Sequence, residues 1–495
     1  MAGCSAACTG EPSPGAGSAA PGSGRRSSQP TSRPPAVPPD WNALRAKLSG
    51  GLVRPGEPGY DIARRSFNTL FDNRTPAAVA ICTRPEDVRA CVEVANGSRI
   101  PIAARSGGHS YAGYCTPNGG LVADLSRMSG VEVAGDGTAR IAAGTRLIDV
   151  YAGLAAAGRC LPAGSCPTVG IAGLTLGGGI GVLNRKFGLT VDHLVSAAVV
   201  TADGALRTVS AEAEPDLFWA LRGGGGGNFG IVTSFTFATV PAPDLTVFSM
   251  RFPAGSVPNV LGAWQQWIAG APDELWTNCV VSAGRPPTCR VGGCFVGPAG
   301  ALNPLLDALL AKTSARPAER SVQGKSFLDA MRYFAACSQR TVARCHPDSA
   351  GGDLGRDGFV ASSHMLPGPV DPARLVSLVD GRSGVDILLD SFGGAIGRVA
   401  PEATAFAHRT ALASAQIYAV TSAAGAERAA RTVAEVRDGL GALTGKAAYV
   451  NYIDPAMPDW PAAFYGPNLA RLREVAGRYD PDAVFTFAQS LHQTS

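Results

Sequence analysis

The pattern of apolar and polar positions along the chain becomes regular near residue 78. A short apolar run at 78–82 predicts a strand, and the apolar residues of 88–95 recur at i, i+3, i+4 and i+7, as on one face of a helix. A second apolar run at 100–104 follows. Together these segments predict a β-α-β unit that leads directly into a glycine-rich loop.

The same reasoning predicts further short elements up to about residue 240. Thr83 and Glu86 have the three-residue spacing of a capping box, which places the start of the predicted helix after Thr83. Two strand-like runs flank Asp203 and Gly204, a dipeptide typical of a β-hairpin turn. Other predicted elements are a strand at 138–143, a helix at 147–154, a short helix at 215–221 and a strand at 231–237.

From about residue 245 longer helical patterns alternate with strand-like segments. This alternation predicts a second α+β region built on an antiparallel sheet. The predicted helices include 305–310 and 427–440, and the predicted strands include 277–281, 292–296 and 385–391.

The last fifty residues combine an aromatic-rich run with a helix around 469–476. We expect Tyr449–Ile453 to be a strand. Side chains alternate along a strand, so Tyr449 and Asn451 would share one face and Tyr452 would point to the other.

Residues 1–39 lack any such pattern and consist almost entirely of Ala, Gly, Ser, Pro and Thr. A segment of this kind buries too little apolar surface to offset the entropy of ordering it, so we expect a disordered tail. Ala2-Gly3-Cys4 resembles the end of a bacterial lipoprotein signal, in which the cysteine receives a lipid. We therefore expect an extracytoplasmic protein, secreted or lipid-anchored at Cys4, and a cytoplasmic protein with a disordered leader is the alternative.

Composition and charge exclude several classes of protein. The 495 residues are 45% hydrophobic and 17% charged, which is typical of a folded protein with two or three domains. The net charge of +4 gives no indication of nucleic-acid binding. No apolar run reaches the roughly 18 residues that a membrane-spanning helix needs. We therefore expect no nucleic-acid partner and no transmembrane segment.

Twelve cysteines are many for a cytosolic enzyme of this size. In an exported protein we expect Cys337 to pair with Cys345, and Cys279 to pair with Cys289 or Cys294. There is no C-x-x-C pair and no H-E-x-x-H motif, so we predict no metal site.

One nucleotide-binding motif is present in the wrong context. Gly225, Gly227 and Gly230 match G-x-G-x-x-G, but a predicted helix precedes them and a predicted strand follows. The dinucleotide-binding fold requires the reverse order. We therefore predict that the chain has no Rossmann domain.

Two other segments carry the candidate chemistry. The first, Arg105 to Tyr114, follows a strand and combines paired glycines, serines and an arginine, a composition suited to a nest of backbone N–H groups around a phosphate. His109 lies inside it. The second, 163–194, is so rich in glycine that one face is left with little side chain, which suits backbone packed against a large flat ligand, and Cys166 lies near its start.

Five ordered segments carry a resemblance to one family. The chain resembles FAD-linked oxidases of the vanillyl-alcohol-oxidase (PCMH) type, and more closely their berberine-bridge-enzyme-like group, over residues 60–495. The segments are RSGGHSY at 105–111, SCPTVGIAGLTLGGGIGVLNRKFGLTVDHL at 165–194, LFWALRGGGGGNFGIVTSF at 217–235, GGAIGRVAPEATAFAHR at 393–409, and YVNYID at 449–454 with YGPNLARLREVAGRYDPDAVF at 465–485.

The resemblance implies an α+β fold of two domains. An FAD-binding domain of the PCMH type would comprise 60–243, and an antiparallel-sheet substrate domain would comprise 244–443. A berberine-bridge-like C-terminal segment, 444–495, would return to the FAD-binding domain.

The resemblance also implies FAD held by two covalent bonds, one from His109 to the 8α-methyl group and one from Cys166 to C6. Ser106 to Ser110 would hold the pyrophosphate. The further residues expected around the cofactor are Arg105, Gly107, Gly108, Gly113, Thr168, Val169, Gly170, Gly173, Gly178, Gly230, Val232 and Asn451.

The implied activity is hydroxyl oxidation. Tyr449 would remove the hydroxyl proton, with Asn451 near the flavin edge, while the adjacent carbon gives a hydride to the flavin and O2 reoxidises it to give hydrogen peroxide. In relatives, a small residue at the position of Val169 is associated with oxygen access, which favours an oxidase. His408 is expected to be structural.

Expected substrates are sugars, oligosaccharides or hydroxylated secondary metabolites. The alternatives are an oxidative ring-closing enzyme, a dehydrogenase that passes electrons to a carrier, and a non-catalytic surface flavoprotein.

Overall fold

A computed structural model describes residues 36–493. Nearly all of the tail expected at 1–39, including Cys4, therefore lies outside the described residues. Eighteen strands are present between residues 36 and 493: β1 Leu52–Val53, β2 Ala78–Ile81, β3 Ile102–Arg105, β4 Leu121–Asp124, β5 Val131–Val133, β6 Thr138–Ala142, β7 Arg159–Cys160, β8 Leu194–Val200, β9 Leu206–Ser210, β10 Ile231–Ala238, β11 Val240–Pro241, β12 Leu245–Phe252, β13 Leu275–Ser282, β14 Thr288–Val296, β15 Glu319–Lys325, β16 Phe359–Leu366, β17 Asp386–Ser391 and β18 Ala413–Val420.

Fourteen α-helices accompany the strands in this part of the chain. They are α1 Trp41–Lys47, α2 Tyr60–Ala63, α3 Pro85–Ser98, α4 Leu147–Ala156, α5 Ile171–Leu176, α6 Asn184–Phe187, α7 Pro215–Ala220, α8 Val257–Ala269, α9 Ala299–Lys312, α10 Phe327–Phe334, α11 Pro372–Ser377, α12 Ala426–Thr444, α13 Trp460–Tyr465 and α14 Leu469–Tyr479.

The predicted β-α-β unit is formed by β2, α3 and β3. Its two strands are parallel, but β4 lies between them, so the sheet order is β1-β2-β4-β3. The helix starts one residue later than the capping-box spacing indicated. Asp87, and not Glu86, accepts hydrogen bonds from the backbone N–H groups of Thr83 and Arg84. Its carboxylate is buried, whereas the charge of Glu86 remains nearer solvent.

A five-stranded antiparallel sheet has the order β5-β6-β10-β8-β9. The hairpin predicted at Asp203 and Gly204 joins β8 to β9. In β10 the pairing register shifts between Val232 and Ser234, which marks a bulge at Thr233. The bulge lies at the end of β10 that approaches the glycine-rich loops.

The antiparallel sheet predicted after residue 245 is present and has seven strands, in the order β15-β12-β14-β13-β17-β18-β16. One of its faces packs on the apolar sides of α8, α9, α11 and α12 to form a core. The opposite face carries polar residues in register, among them Asn278, Asp390 and Gln416.

The cysteine predictions are half right. Cys337 and Cys345 form a buried disulfide. Cys279, Cys289 and Cys294 are free thiols, so the second predicted pair is wrong. Cys279 lies opposite Val291, and Cys289 lies two residues away in register. Diagonal neighbours of this kind are about 7–8 Å apart, too far for a disulfide. Cys294 points to the other face of the sheet, because it is an odd number of residues from Val291.

The strand predicted at Tyr449–Ile453 is also wrong. Val450–Tyr452 is a 3-10 turn, in which the N–H of Tyr452 donates to the carbonyl of Tyr449. The segment lies beside β16 but forms no β-ladder with it; instead, the N–H of Tyr449 donates to the side-chain hydroxyl of Ser363 in β16. Helices α13 and α14 follow. They pack into a separate apolar core, which also contains the apolar residues of β2, β4 and β10.

Candidate active site

A cavity of about 620 Å³ opens where the loop after β3, the start of β10, helix α5 and the 3-10 turn Val450–Tyr452 meet. Most of the residues predicted for the site line it. These are Arg105, Ser106, Gly107, Gly108, His109, Ser110, Val169, Gly170, Gly173, Gly230, Val232, Tyr449 and Asn451.

The backbone between Ser106 and Ser110 forms the nest that the sequence indicated. Among the described residues, none of its five N–H groups donates to another group of the protein. Gly108 has φ +75°, a conformation that favours glycine, and all five residues line the cavity. Such a row of unpaired N–H groups provides a site for an anion.

The sequence suggested that the charge of Arg105 faces a phosphate, but the guanidinium is paired within the protein. Its guanidinium donates to Asp124 at 3.1 Å from Nε and at 2.5 Å from Nη2, and it also donates to the carbonyls of Ala63 and Arg65. Although burial opposes it, this ion pair holds the pKa of Asp124 below its usual value. Arg105 therefore fixes the base of the loop, and only the backbone N–H groups of Ser106–Ser110 are left unpaired for an anion.

The imidazole of His109 is clamped from two sides. Its ring stacks on Phe67, with centroids 3.9 Å apart, and its Nε2 lies 2.8 Å from Oγ1 of Thr168. Burial, with a smaller contribution from the charge of Arg146, lowers the pKa of His109 to about 3. The ring is therefore neutral at physiological pH. If Nε2–H donates to Thr168, Nδ1 keeps a free lone pair and can act as a nucleophile.

Cys166 lies at the other side of the same threonine. Its Sγ is 3.6 Å from Oγ1 of Thr168, and burial raises the pKa of the thiol. Neither Cys166 nor Thr168 is among the residues that line the main cavity, although Val169 and Gly170 are. Thr168 therefore contacts both predicted attachment residues, although it does not itself line the cavity.

The glycines of the second segment have two different roles. A Cβ at Gly107 would lie 2.2 Å from the nitrogen of Gly170, and a Cβ at Gly177 would lie 2.2 Å from Oδ1 of Asn451. These glycines allow protein to pack on protein. At Gly173, by contrast, a Cβ would meet nothing within 4 Å, and this residue does line the cavity. The expected flat ligand surface is therefore provided by only part of the glycine-rich face.

Two other predicted cofactor residues pack against aromatic rings and do not line the cavity. A Cβ at Gly113 would lie 2.5 Å from the ring of Phe71, and one at Gly178 would lie 2.7 Å from the ring of Phe406.

His408, which we expected to be structural, places Nε2 2.9 Å from the carbonyl of Phe464.

The hydroxyl of Tyr449 lies between hydrogen-bond donors. The N–H of Gly179 donates to it at 3.1 Å, and Nδ2 of Asn451 donates at 2.9 Å. Burial raises the pKa of Tyr449 to about 12, although these bonds and one from the N–H of Ile180 lower it. Tyr449 and Asn451 do meet, but through a tight turn, and Tyr452 packs against Tyr449 at 5.0 Å instead of pointing away.

Several residues of the site were missed in the sequence. Tyr111 stacks on Tyr452 with centroids 5.5 Å apart, and its hydroxyl accepts a hydrogen bond from Gln416 at 2.6 Å. Tyr111 is the last residue of the RSGGHSY motif, so its position offered a signal. Gln416 comes from β18 and offered none.

Asp390 is a second missed residue, on the polar face of β17. Burial raises the pKa of its carboxyl to about 7. The charge of Asp390 in turn contributes to a raised pKa of Tyr452, for which burial is the main cause. Asp390 therefore lies close enough to Tyr452 for the charge of its carboxylate to act on the phenol.

Within residues 36–493, no helix is both long and apolar enough to cross a membrane. The same part of the chain contains no group of three or more His, Cys, Asp or Glu side chains that could hold a metal ion.

Comparisons with known proteins agree with this geometry. Residues 76–210 match the family model of an FAD-binding domain, and residues 448–492 match that of berberine and berberine-like proteins. An uncharacterised FAD-linked oxidoreductase of Bacillus subtilis, YgaK, is 35% identical over 90% of this chain and 98% of its own length.

Two further relatives cover almost the whole chain. The chitooligosaccharide oxidase of Gibberella zeae is 32% identical over 92% of this chain and 96% of its own length. The structure of BBE-like 1 from Physcomitrella patens superposes with a TM-score of 0.86 at 29% identity, over 92% of this chain and 99% of that one.

Proposed function

The chain belongs to the FAD-linked oxidoreductases of the berberine-bridge-enzyme-like family, and we propose that it oxidises a hydroxyl group of a sugar or oligosaccharide and passes the electrons to O2. The observation that carries this proposal is the hydroxyl of Tyr449, held between two donors in the wall of the same cavity that His109 lines. The similarity to chitooligosaccharide oxidase supports the choice of substrate class.

FAD fits the cavity by the chemistry of the residues present. The five unpaired N–H groups of Ser106–Ser110 suit its pyrophosphate, and the open surface at Gly173 suits a flat ring system. When bound, the flavin accepts a hydride from the substrate and is reoxidised by O2. Val232, which lies beside the bulge of β10, also lines the cavity.

We propose that His109 and Cys166 both hold the flavin covalently, His109 through Nδ1. The neutral state of His109 supports this assignment, because only an unprotonated ring nitrogen is nucleophilic. Thr168 supports it as well, since its hydroxyl engages Nε2 and leaves Nδ1 free. A cofactor tethered at two points does not need a fully enclosing pocket, which leaves room for a bulky substrate.

Tyr449 is the proposed catalytic base. A phenolate at this position would accept hydrogen bonds from Gly179 and Asn451, and such bonds favour the charged form. No cation contributes to the pKa of Tyr449, so the N–H groups of Gly179 and Ile180 and the amide of Asn451 are the stabilising groups. Nδ2 of Asn451 donates a hydrogen bond to the Tyr449 oxygen, which both orients the phenol ring and favours its charged form.

The substrate is proposed to bind against the polar face of the seven-stranded sheet. This face extends from Gln416, which contacts Tyr111, across Asp390 to Asn278 in adjacent strands. All seven strands lie within 245–420, in the proposed substrate domain of 244–443. The proposed FAD-binding domain comprises 60–243 and 444–495, and apolar residues of both stretches pack into one core, which supports grouping them together.

Val169 lines the cavity next to Gly170, and we propose that its small side chain leaves O2 a path to the flavin. We also propose an extracytoplasmic location, because a buried disulfide such as Cys337–Cys345 persists in an oxidising compartment. Lipid attachment at Cys4 remains a prediction.

The proposal is tested first on acid-denatured protein. We expect yellow colour to stay with the polypeptide, and the intact mass to exceed the polypeptide mass by one FAD. Replacing His109 or Cys166 alone should leave the flavin attached, and replacing both should release it. A folded protein without bound flavin would contradict the proposal.

The second test is a screen of mono- and oligosaccharides with peroxide detection. Peroxide formed in step with substrate oxidation is the expected result. Flavin reduction without peroxide would instead indicate a dehydrogenase.

A further inference from the structure

We propose that residues 337–357, here called the strap, position both flavin-attachment residues. One end of the strap supports the loop that carries Cys166, and the other end supports the ring that stacks on His109. This inference rests on the bicovalent attachment proposed above. The strap is the segment between α10 and β16.

The first end of the strap is closed by the Cys337–Cys345 disulfide. The disulfide is fully buried and forms a small apolar cluster with Ile148, the second residue of α4. The next strap residue, His346, places Nε2 2.9 Å from Oδ1 of Asp149. Two consecutive residues of α4 are thus held by the strap.

The start of α4 in turn holds the Cys166 loop. The N–H of Leu147 donates to the carbonyl of Val169 at 2.9 Å, and the N–H of Ile148 donates to the carbonyl of Pro167 at 3.1 Å. These N–H groups belong to the first turn of the helix, which has no partner within the helix for them. The contacts therefore run from the disulfide through the first turn of α4 to both neighbours of Thr168.

The second end of the strap holds the segment beside His109. Arg356 forms a two-pronged ion pair with Asp72, and its Nε donates to the carbonyl of Ser66 at 2.7 Å. The carbonyl of Asp357 accepts from the N–H of Thr69 at 3.0 Å. These contacts fix the residues on both sides of Phe67, whose ring stacks on His109.

The two ends make separate predictions. Loss of the disulfide should loosen the Cys166 loop and leave Phe67 in place. Loss of the Arg356 contacts should loosen Phe67 and leave α4 in place. A group misplaced by about 1 Å reacts far more slowly, so each change should reduce one linkage selectively.

The experiment compares flavin occupancy at His109 and Cys166 by mass spectrometry of proteolytic peptides from the purified holoenzyme. In the C337A/C345A variant we expect loss of most of the Cys166 linkage with the His109 linkage retained. In Arg356→Gln we expect the opposite.

Matched controls come from the same regions. Arg344→Gln removes an exposed ion pair with Asp353 inside the strap that contacts neither attachment loop, and Cys160→Ala removes a buried free thiol. Both should keep wild-type occupancy at both residues. Wild-type occupancy in C337A/C345A and Arg356→Gln, or equal loss of both linkages in each, would overturn the proposal.

A second measurement does not depend on the flavin. Amide hydrogen exchange of the peptides that span 145–170 should become faster in C337A/C345A than in wild type, while peptides from β12 and β14 should not change. Unchanged exchange at 145–170 would overturn the proposed support of the Cys166 loop. If wild type carries no covalent flavin, the attachment proposal fails, and this measurement still decides whether the strap holds the loop.

Discussion

Oγ1 of Thr168 lies 2.8 Å from Nε2 of His109, and the same oxygen is 3.6 Å from Sγ of Cys166. A single hydroxyl therefore contacts both residues that are proposed to carry the flavin. The contact with Nε2 orients the imidazole, and Cys166 lies only two residues before Thr168 in the same loop.

Thr168→Val should impair flavin attachment without unfolding the protein. The change replaces the hydroxyl by a methyl group of similar size, so both contacts of the hydroxyl are lost with little change in side-chain volume. We expect a reduced fraction of doubly attached flavin, measured by mass spectrometry. Thr175→Val is the control, because the hydroxyl of this buried residue has no hydrogen-bond partner in the described structure. Full attachment in Thr168→Val would show that the hydroxyl is not needed.

Tyr449→Phe should reduce kcat by about 10²- to 10⁴-fold, the usual contribution of a general base. Asn451→Ala should cause a smaller loss, because Gly179 still donates to the Tyr449 oxygen. Both are measured as the rate of flavin reduction by substrate under anaerobic conditions.

Tyr151→Phe is the control for Tyr449→Phe. Tyr151 is buried, and its hydroxyl donates to the carbonyl of Gly164 outside the cavity. Its substitution should leave the rate of flavin reduction near that of wild type. A Tyr449→Phe variant with unchanged flavin reduction would contradict the proposed base.

Asp390 should make the protein less stable as the pH rises. Its pKa is near 3.8 when unfolded and is raised to about 7 when folded, so the folded state binds the proton more tightly. The stabilisation is complete below pH 4 and is lost as the pH rises through 7, with an upper limit of about 4 kcal/mol. Thermal unfolding at pH 5 and pH 8 measures it.

Asp390→Asn should flatten this pH dependence and raise the melting temperature relative to wild type at pH 8. Asp386→Asn, on the same face of β17, is the control, and its pH dependence should remain that of wild type. An equal slope in wild type and Asp390→Asn would show that Asp390 does not titrate in this range.

Gly107→Ala and Gly173→Ala should have opposite effects on the apoprotein. The new methyl group at 107 would overlap the backbone of Gly170, which should destabilise the fold by about 1–3 kcal/mol. The methyl group at 173 meets nothing and lies in a helix, where alanine is preferred to glycine. We expect Gly173→Ala to fold normally but to bind FAD more weakly. Tight FAD binding by Gly173→Ala would exclude a ring system at this wall.

Much of the fold could be predicted from the sequence because it depends on local patterns. The β-α-β unit, the hairpin at Asp203 and Gly204, and helix α12 follow from periodicity and turn residues that lie within a few positions of each other. The strand predicted at Tyr449–Ile453 was wrong because that prediction, too, used only local sequence. Aromatic and β-branched residues favour strands, but a strand also needs a ladder of backbone hydrogen bonds, and here the N–H of Tyr449 donates to the side chain of Ser363.

The composition of the site was visible in the sequence, but its working geometry was not. His109, Cys166 and Tyr449 are found in short motifs, whereas the partners of each residue come from far along the chain. The pairing of Arg105 with Asp124, the donation by Gly179 to Tyr449 and the clamp of Arg356 on Ser66 and Asp72 join segments that are 19 to 290 residues apart. Such contacts depend on how the packed cores bring loops together. The sequence alone therefore determined which residue types are present for flavin chemistry, and the tertiary structure decided their charge states, hydrogen bonds and supports.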